Sequence, residues 1–232
     1  MKHPPPIRAV AFDAFGTLFD VFSVGALSEQ LFPGKGEQLA TLWRLKQIEY
    51  ALLRTLSGRY KPFDKVTGDA LTYAAARLGL DLTEARHRQL MSQYACLSPF
   101  PENIETLRML RKLGLPLAVL SNGTPEMLQI ATRSAGMNEL FDHVLSVDRV
   151  QQYKTASSAY QLGPEAFGIP AREILFVSAN GWDVAGATWF GYTTFWVNRA
   201  QHPVEELDVA PTATGHTLAD VIEFVRERRS AE

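Results

Sequence analysis

A break in rhythm constrains this chain more than any other feature. Ile7 to Phe12 is a short apolar run with β-branched residues that ends at Asp13 and a glycine turn, the pattern of a buried strand. The residues that follow, 19–98, show helical periodicity almost throughout, over Glu37 to Leu56, Asp64 to Leu78 and Thr83 to Tyr94. Strand-like runs then return at Leu117 to Leu120, His143 to Val147 (the weakest), Ile174 to Val177 and Thr193 to Val197. Helical patterns lie between or beside them at Pro101 to Leu113, Pro125 to Ala135, Ser157 to Phe167 and Trp182 to Phe190, and Ala219 to Arg229 closes the chain. Such alternation predicts an α/β fold, a Rossmann-like doubly wound parallel sheet with helices on both faces. The interruption reads as an inserted helical cap domain, residues 19–98, on a core of residues 1–18 and 99–232, with Ser98-Pro99-Phe100-Pro101 as the return hinge.

Composition narrows the function classes. With 232 residues, 46% of them apolar, the chain can bury a sizeable core. Its net charge of −2 and lack of a long basic run argue against nucleic acid or an anionic membrane as partner. Cys96 is the single cysteine, so neither an internal disulfide nor a cysteine metal cluster is possible. Prolines in Met1-Lys2-His3-Pro4-Pro5-Pro6 stand where a signal peptide needs apolar residues, and no run approaches about 20 apolar residues. A cytoplasmic location is the expectation.

In an open α/β sheet, ligands bind beyond the carboxyl ends of the strands. Here those ends carry Asp13 with Thr17, Ser121 with Asn122, and Ser178 with Asn180 and Asp183, while Lys154 follows the weak run. Asp, Asn and Ser favour turns whatever the function. Their convergence on one edge is harder to dismiss, and an aspartate at the end of an apolar strand inside a Gly-Thr turn suits a carboxylate nucleophile. His3, His87, His143, His202 and His216 occupy terminal, helical or loop contexts, and none is placed as a general base.

The segments Phe12-Asp13-Ala14-Phe15-Gly16-Thr17-Leu18, Trp43-Arg44-Leu45-Lys46-Gln47-Ile48-Glu49-Tyr50, Ser121-Asn122-Gly123, Tyr153-Lys154 and Phe176-Val177-Ser178-Ala179-Asn180-Gly181-Trp182-Asp183 together resemble the haloacid dehalogenase superfamily, and within it the L-2-haloacid dehalogenases. Superfamily phosphatases carry a leaving-group acid two residues after the nucleophile and a metal-binding acid after the fourth strand. The corresponding positions here are Phe15 and Ala179. Without them a hard cation has too few oxygen ligands, and phosphoryl transfer leans heavily on such a cation. Halide departs as a stable anion and needs neither aid.

The resemblance implies that Asp13 attacks the halogen-bearing carbon of a short 2-haloacid, giving an ester that water hydrolyses, with an L-2-haloacid yielding a D-2-hydroxyacid and no cofactor or metal. Lys154 is the counter-charge of Asp13. Arg44, with Asn122 and Phe15 nearby, receives the halide; Ser121 and the backbone N–H groups around Ala14 and Phe15 hold the substrate carboxylate. Thr17, Tyr160 and Ser178 complete the set, while Asp183 and Asn180 orient Lys154 and the hydrolytic water. Phe15, Ile48, Phe63 and Trp182 are expected to line an apolar pocket. Leu45 and the Thr155-Ala156-Ser157-Ser158 stretch depart from the relatives. A homodimer is implied by the resemblance alone. The competing readings are opening of a strained amine ring, as in azetidine carboxylate hydrolases, phosphatase or phosphonate hydrolase action, and a non-catalytic anion binder.

Overall fold

The computed structural model describes residues 5–230, so His3 and the start of the proline run lie outside the described residues. Strands β1 (Ala9–Phe12), β2 (Leu117–Ser121), β3 (His143–Ser146), β4 (Ile174–Ser178), β5 (Thr193–Val197) and β6 (Ala213–Gly215) form one parallel sheet in the order β3-β2-β1-β4-β5-β6. β1 sits in the middle and is buried on both faces, which is why it reads as a continuous apolar run rather than an alternating one. Alternation survives in the packing. Val10, Phe12, Val119 and Val177 face the larger core, while Ala9, Ala11, Phe176 and Leu120 face a smaller one with Tyr160 and Tyr192.

Register decides what meets at the carboxyl edge. Phe12 pairs with Val119 on one side and Val177 on the other. Asp13 is therefore level with Ser178, and one residue below Ser121. The chain runs from β1 to β2 and β3 on one side and then crosses to β4 on the other, so the edge beside β1 is a topological switch point, where open sheets place their ligands.

Between β1 and β2 lie α1 (Gly25–Leu31), α2 (Gly36–Leu56), α3 (Phe63–Arg77) and α4 (Glu84–Ala95), and then α5 (Asn103–Lys112) leads into β2. The outgoing and returning chains run side by side: Asp20 N–H donates to Ser98 C=O at 2.8 Å, and Phe19 bridges Pro99. The remaining helices are α6 (Pro125–Ser134), α7 (Ser157–Phe167), α8 (Gly181–Phe190) and α9 (Asp220–Ser230). Thr124 caps α6, its hydroxyl accepting from Met127 N–H with Pro125 at the first helical position, a start signal visible in the sequence.

Two elements differ from the sequence reading. α1 is absent from it, because a seven-residue helix that begins at glycine offers too few turns for a periodic signal. β6 is three residues of Ala-Thr-Gly at a sheet edge, with none of the apolar content that marked the other strands. No helix among the described residues is long and apolar enough to cross a membrane.

The smaller core is tightly filled. Tyr192 hydroxyl donates to Tyr160 C=O at 2.6 Å, and a Cβ at Gly163 would lie 2.1 Å from that hydroxyl oxygen. Gly163→Ala should cost about 1–3 kcal/mol by overpacking, read as a lowered midpoint in urea unfolding.

Candidate active site

Asp13 follows β1 and is 5% exposed. Its Oδ1 accepts from Lys154 Nζ at 3.1 Å. Oδ2 accepts from Asn180 Nδ2 at 2.8 Å and Thr17 Oγ1 at 2.9 Å, with Ser178 Oγ at 3.5 Å. The turn brings Thr17 back under Asp13 because Gly16 adopts φ +98°, a conformation that L side chains rarely reach, with Asn180 lying 3.4 Å from where a Cβ would stand. Thr17 Oγ1 also accepts from Ala179 N–H at 2.8 Å, tying the β1 and β4 loops together.

Lys154 is 1% exposed and bridges two carboxylates, reaching Asp183 Oδ2 at 2.9 Å. Its ammonium also lies 4.8 Å from the Phe176 ring centroid. Burial opposes its charge, but Asp13 and Asp183 outweigh that and raise its pKa above the usual lysine value. Burial pushes Asp183 up to about 6, with Lys154 restraining the rise and Asp13 adding to it. Tyr160 hydroxyl donates to Asp183 Oδ1 at 2.7 Å, and burial followed by the Asp183 charge holds its pKa well above the ordinary phenol value, so it stays a donor.

Above Asp13 opens a small cleft. Phe15, Arg44, Ile48, Phe63, Ser121, Asn122, Lys154 and Trp182 line it, joined by Ala51 and Leu52, which the sequence reading did not single out. Asn122 Oδ1 accepts from Lys154 N–H at 3.0 Å, which turns its NH₂ away from that contact. Among the described residues no hydrogen bond uses the backbone N–H of Ala14 or Phe15. Both are available to an anion. The Phe15 ring packs on Phe63 at 5.8 Å and stacks on Tyr94 at 5.7 Å, joining the sheet edge to α3 and α4.

Arg44 reaches down from α2. Its Nη2 donates to Phe15 C=O at 3.0 Å and Asn180 Oδ1 at 3.2 Å, and its Nη1 to Gln47 Oε1 at 2.8 Å. Asn180 Nδ2 also donates to Phe15 C=O at 3.0 Å. Asp183 and Asn180 were expected to orient Lys154 and the hydrolytic water. Of the two, Asp183 is the one in contact with the Lys154 ammonium; the Asn180 side chain bonds to Asp13, Phe15 and Arg44 and so couples Asp13 to α2.

Further residues surround the site. Gln47, Thr67 and Tyr94 form a buried polar cluster behind Arg44; the available signal was the three-residue spacing of Arg44 and Gln47 on one helix. Arg199 donates to Thr17 C=O at 3.3 Å and Glu102 at 3.0 Å, bracing the Asp13–Thr17 turn against the returning chain. None of the described histidines lines the cleft.

A family model of haloacid dehalogenase-like hydrolases matches residues 7–191. The (S)-2-haloacid dehalogenase of Pseudomonas sp. strain YL is 44% identical over 218 residues, spanning 94% of both chains. The crystal structure of an L-2-haloacid dehalogenase superposes with TM-score 0.94 at 62% identity, covering 95% of this chain and 99% of that one. Another, from Xanthobacter autotrophicus with chloropropionic acid covalently bound, superposes with TM-score 0.89 at 38% identity over 95% and 98% of the two chains.

Removing the ammonium would strand two buried carboxylates. Lys154→Met should therefore destabilise the fold by about 3–5 kcal/mol, measured by urea unfolding at neutral pH.

Proposed function

Because the chain belongs to the haloacid dehalogenase-like hydrolases, in their L-2-haloacid dehalogenase branch, and is a carbon–halide hydrolase, we propose that it converts short L-2-haloacids to D-2-hydroxyacids through an ester on Asp13, without a metal. One observation carries the reading: a buried carboxylate, held by Lys154, Asn180 and Thr17, faces a small cleft roofed by Arg44.

The substrate carboxylate binds Ser121 and the N–H groups of Ala14 and Phe15, which sets C2 over Asp13. The alkyl group rests among Ile48, Phe63 and Trp182. An Asp13 oxygen forms a bond to C2 as the carbon–halogen bond breaks, and the halide leaves toward Arg44 and Asn122 with no proton required. Attack in line inverts C2. Water then adds to Cγ of Asp13, not to C2, and the adduct breaks its Cγ–O bond to the substrate oxygen. The C2–O bond and the single inversion survive, that oxygen takes one of the water's protons to become the hydroxyl, and Asp13 returns as a carboxylate. Asp183, held against the Lys154 ammonium, takes the water's other proton and passes it to solvent, a task suited to a carboxylate whose basicity burial has raised.

The donor set favours metal-free chemistry. Ala179 offers only a methyl group where a metal-binding acid would stand. Phe15 C=O, the second ligand position of the phosphatases, already accepts from Arg44 and Asn180, and Asp13 is engaged by an ammonium, an amide and a hydroxyl. Cationic and N–H donors fill the space that oxygen ligands would need. A leaving amine would require a proton, and the Tyr160 hydroxyl is committed to Asp183 at 2.7 Å, which favours halide.

Halide release from L-2-chloropropionate should continue undiminished in EDTA, with the D isomer untouched; loss of activity in EDTA would overturn the metal-free assignment. In ¹⁸O-water, a single turnover with excess enzyme should label Asp13 rather than the hydroxyacid, as read by mass spectrometry. Asp13→Asn should lower kcat by about 10³-fold or more. Asp183 must be ionised to orient Lys154 and accept the proton. Its raised pKa means that kcat/KM should fall as pH drops below about 6, and a pH–rate profile flat down to pH 4.5 or so would contradict this role.

A further inference from the structure

Arg44 works at the end of a long side chain from α2, and a guanidinium must be fixed to within a fraction of an ångström to help one leaving group. Phe15 C=O and Asn180 hold its Nη2, and what fixes its Nη1 lies behind the cleft. Gln47 is fully buried, its Oε1 accepting from Arg44 Nη1 at 2.8 Å and from Tyr94 Oη at 3.0 Å. Its Nε2 donates to Thr67 Oγ1 at 2.7 Å. The Thr67 hydroxyl has one proton, which it gives to Phe63 C=O at 2.7 Å, so toward Gln47 it can only accept. That single direction fixes the amide: nitrogen toward Thr67, oxygen toward Arg44. Tyr94, whose pKa is raised by burial, remains a donor to the same oxygen.

We propose that Gln47 is the positioning residue for Arg44, its amide locked by Thr67 and Tyr94 so that the guanidinium meets the departing halide in one orientation and with its full charge. The proposal rests on Arg44 as the group that receives the halide. Neutrality is part of the device. A glutamate would reach the same atoms and cancel the charge that the anion needs, whereas an amide oxygen orients the guanidinium and leaves its charge intact. The lock also explains why α2, α3 and α4 share one buried polar cluster: Phe63 and the Phe15 stack on Tyr94 belong to the same cleft wall.

The test compares Gln47→Met, Gln47→Glu, Thr67→Val and Arg44→Lys with the unaltered protein. It reads bromide inhibition of 2-chloropropionate turnover, single-turnover halide release, hydrolysis of the preformed ester and the thermal midpoint. Gln47→Met should raise the bromide inhibition constant and slow halide release, each by about tenfold, while ester hydrolysis stays within about twofold. Gln47→Glu should weaken bromide further, and Thr67→Val should move both quantities in the same direction by less. Should Gln47→Met fail to fold, Gln47→Glu and Thr67→Val decide the matter on the same readings. If the Gln47 and Thr67 variants leave bromide inhibition and halide release within about twofold of the original while Arg44→Lys changes them, the positioning role is overturned and the Arg44 role stands. An Arg44→Lys variant without effect would overturn the halide role itself. Equal losses in halide release and ester hydrolysis would mark Gln47 as structural only and overturn the proposal.

Discussion

Lys154 carries its ammonium into a fully buried position between Asp13, at 3.1 Å, and Asp183, at 2.9 Å, and the surrounding structure follows from what that burial demands. Two carboxylates and one ammonium leave a net negative charge out of water, and such a charge persists only where hydrogen bonds answer the remaining lone pairs. Asn180, Thr17 and Ser178 answer those of Asp13, and Tyr160 answers Asp183. These donors come from the turn after β1, from the end of β4 and the loop that follows it, and from α7. The parallel register must therefore be right before the site can exist.

That charge also separates the two carboxylates by their surroundings. Asp13 faces the cleft and has its oxygens held in place, the preorganisation that the proposed nucleophile needs. Asp183 lies deeper, with no exposed surface, and burial raises its basicity toward the range in which a carboxylate exchanges protons near neutral pH. Two carboxylates about one ammonium thus acquire different chemistry from their surroundings.

The helices that follow β1 meet the sheet directly over Asp13. Phe15 stacks against Phe63 and Tyr94, Arg44 bonds to Phe15 C=O and Asn180, and Tyr153 donates from its backbone to Thr55 and from its hydroxyl to Lys61 C=O. Among these contacts, those of Phe15 with Phe63 and of Arg44 with Phe15 also build the cleft. Excluding water there strengthens each electrostatic contact with a bound anion.

Much of this was legible in the sequence because local physics wrote it there. β-branched apolar runs ending in polar turns marked β1, β2, β4 and β5, and helical periodicity marked every helix longer than seven residues. Asp13 could be read from its turn, since Gly16 and Thr17 are what such a turn needs. α1 and β6 were not legible, being too short to carry a period. Nor was the partnership of Asn180 with Arg44, or the lock on Gln47. These depend on side chains far apart in the chain, whose distances and proton directions no spacing encodes. The sequence by itself determined the strand and helix alphabet and placed Asp13, Phe15 and Ala179 at the ends of β1 and β4. Only the tertiary structure decided which carboxylate faces the cleft, what holds Arg44 and where the helices close over Asp13, because burial and hydrogen-bond geometry are properties of the assembled chain.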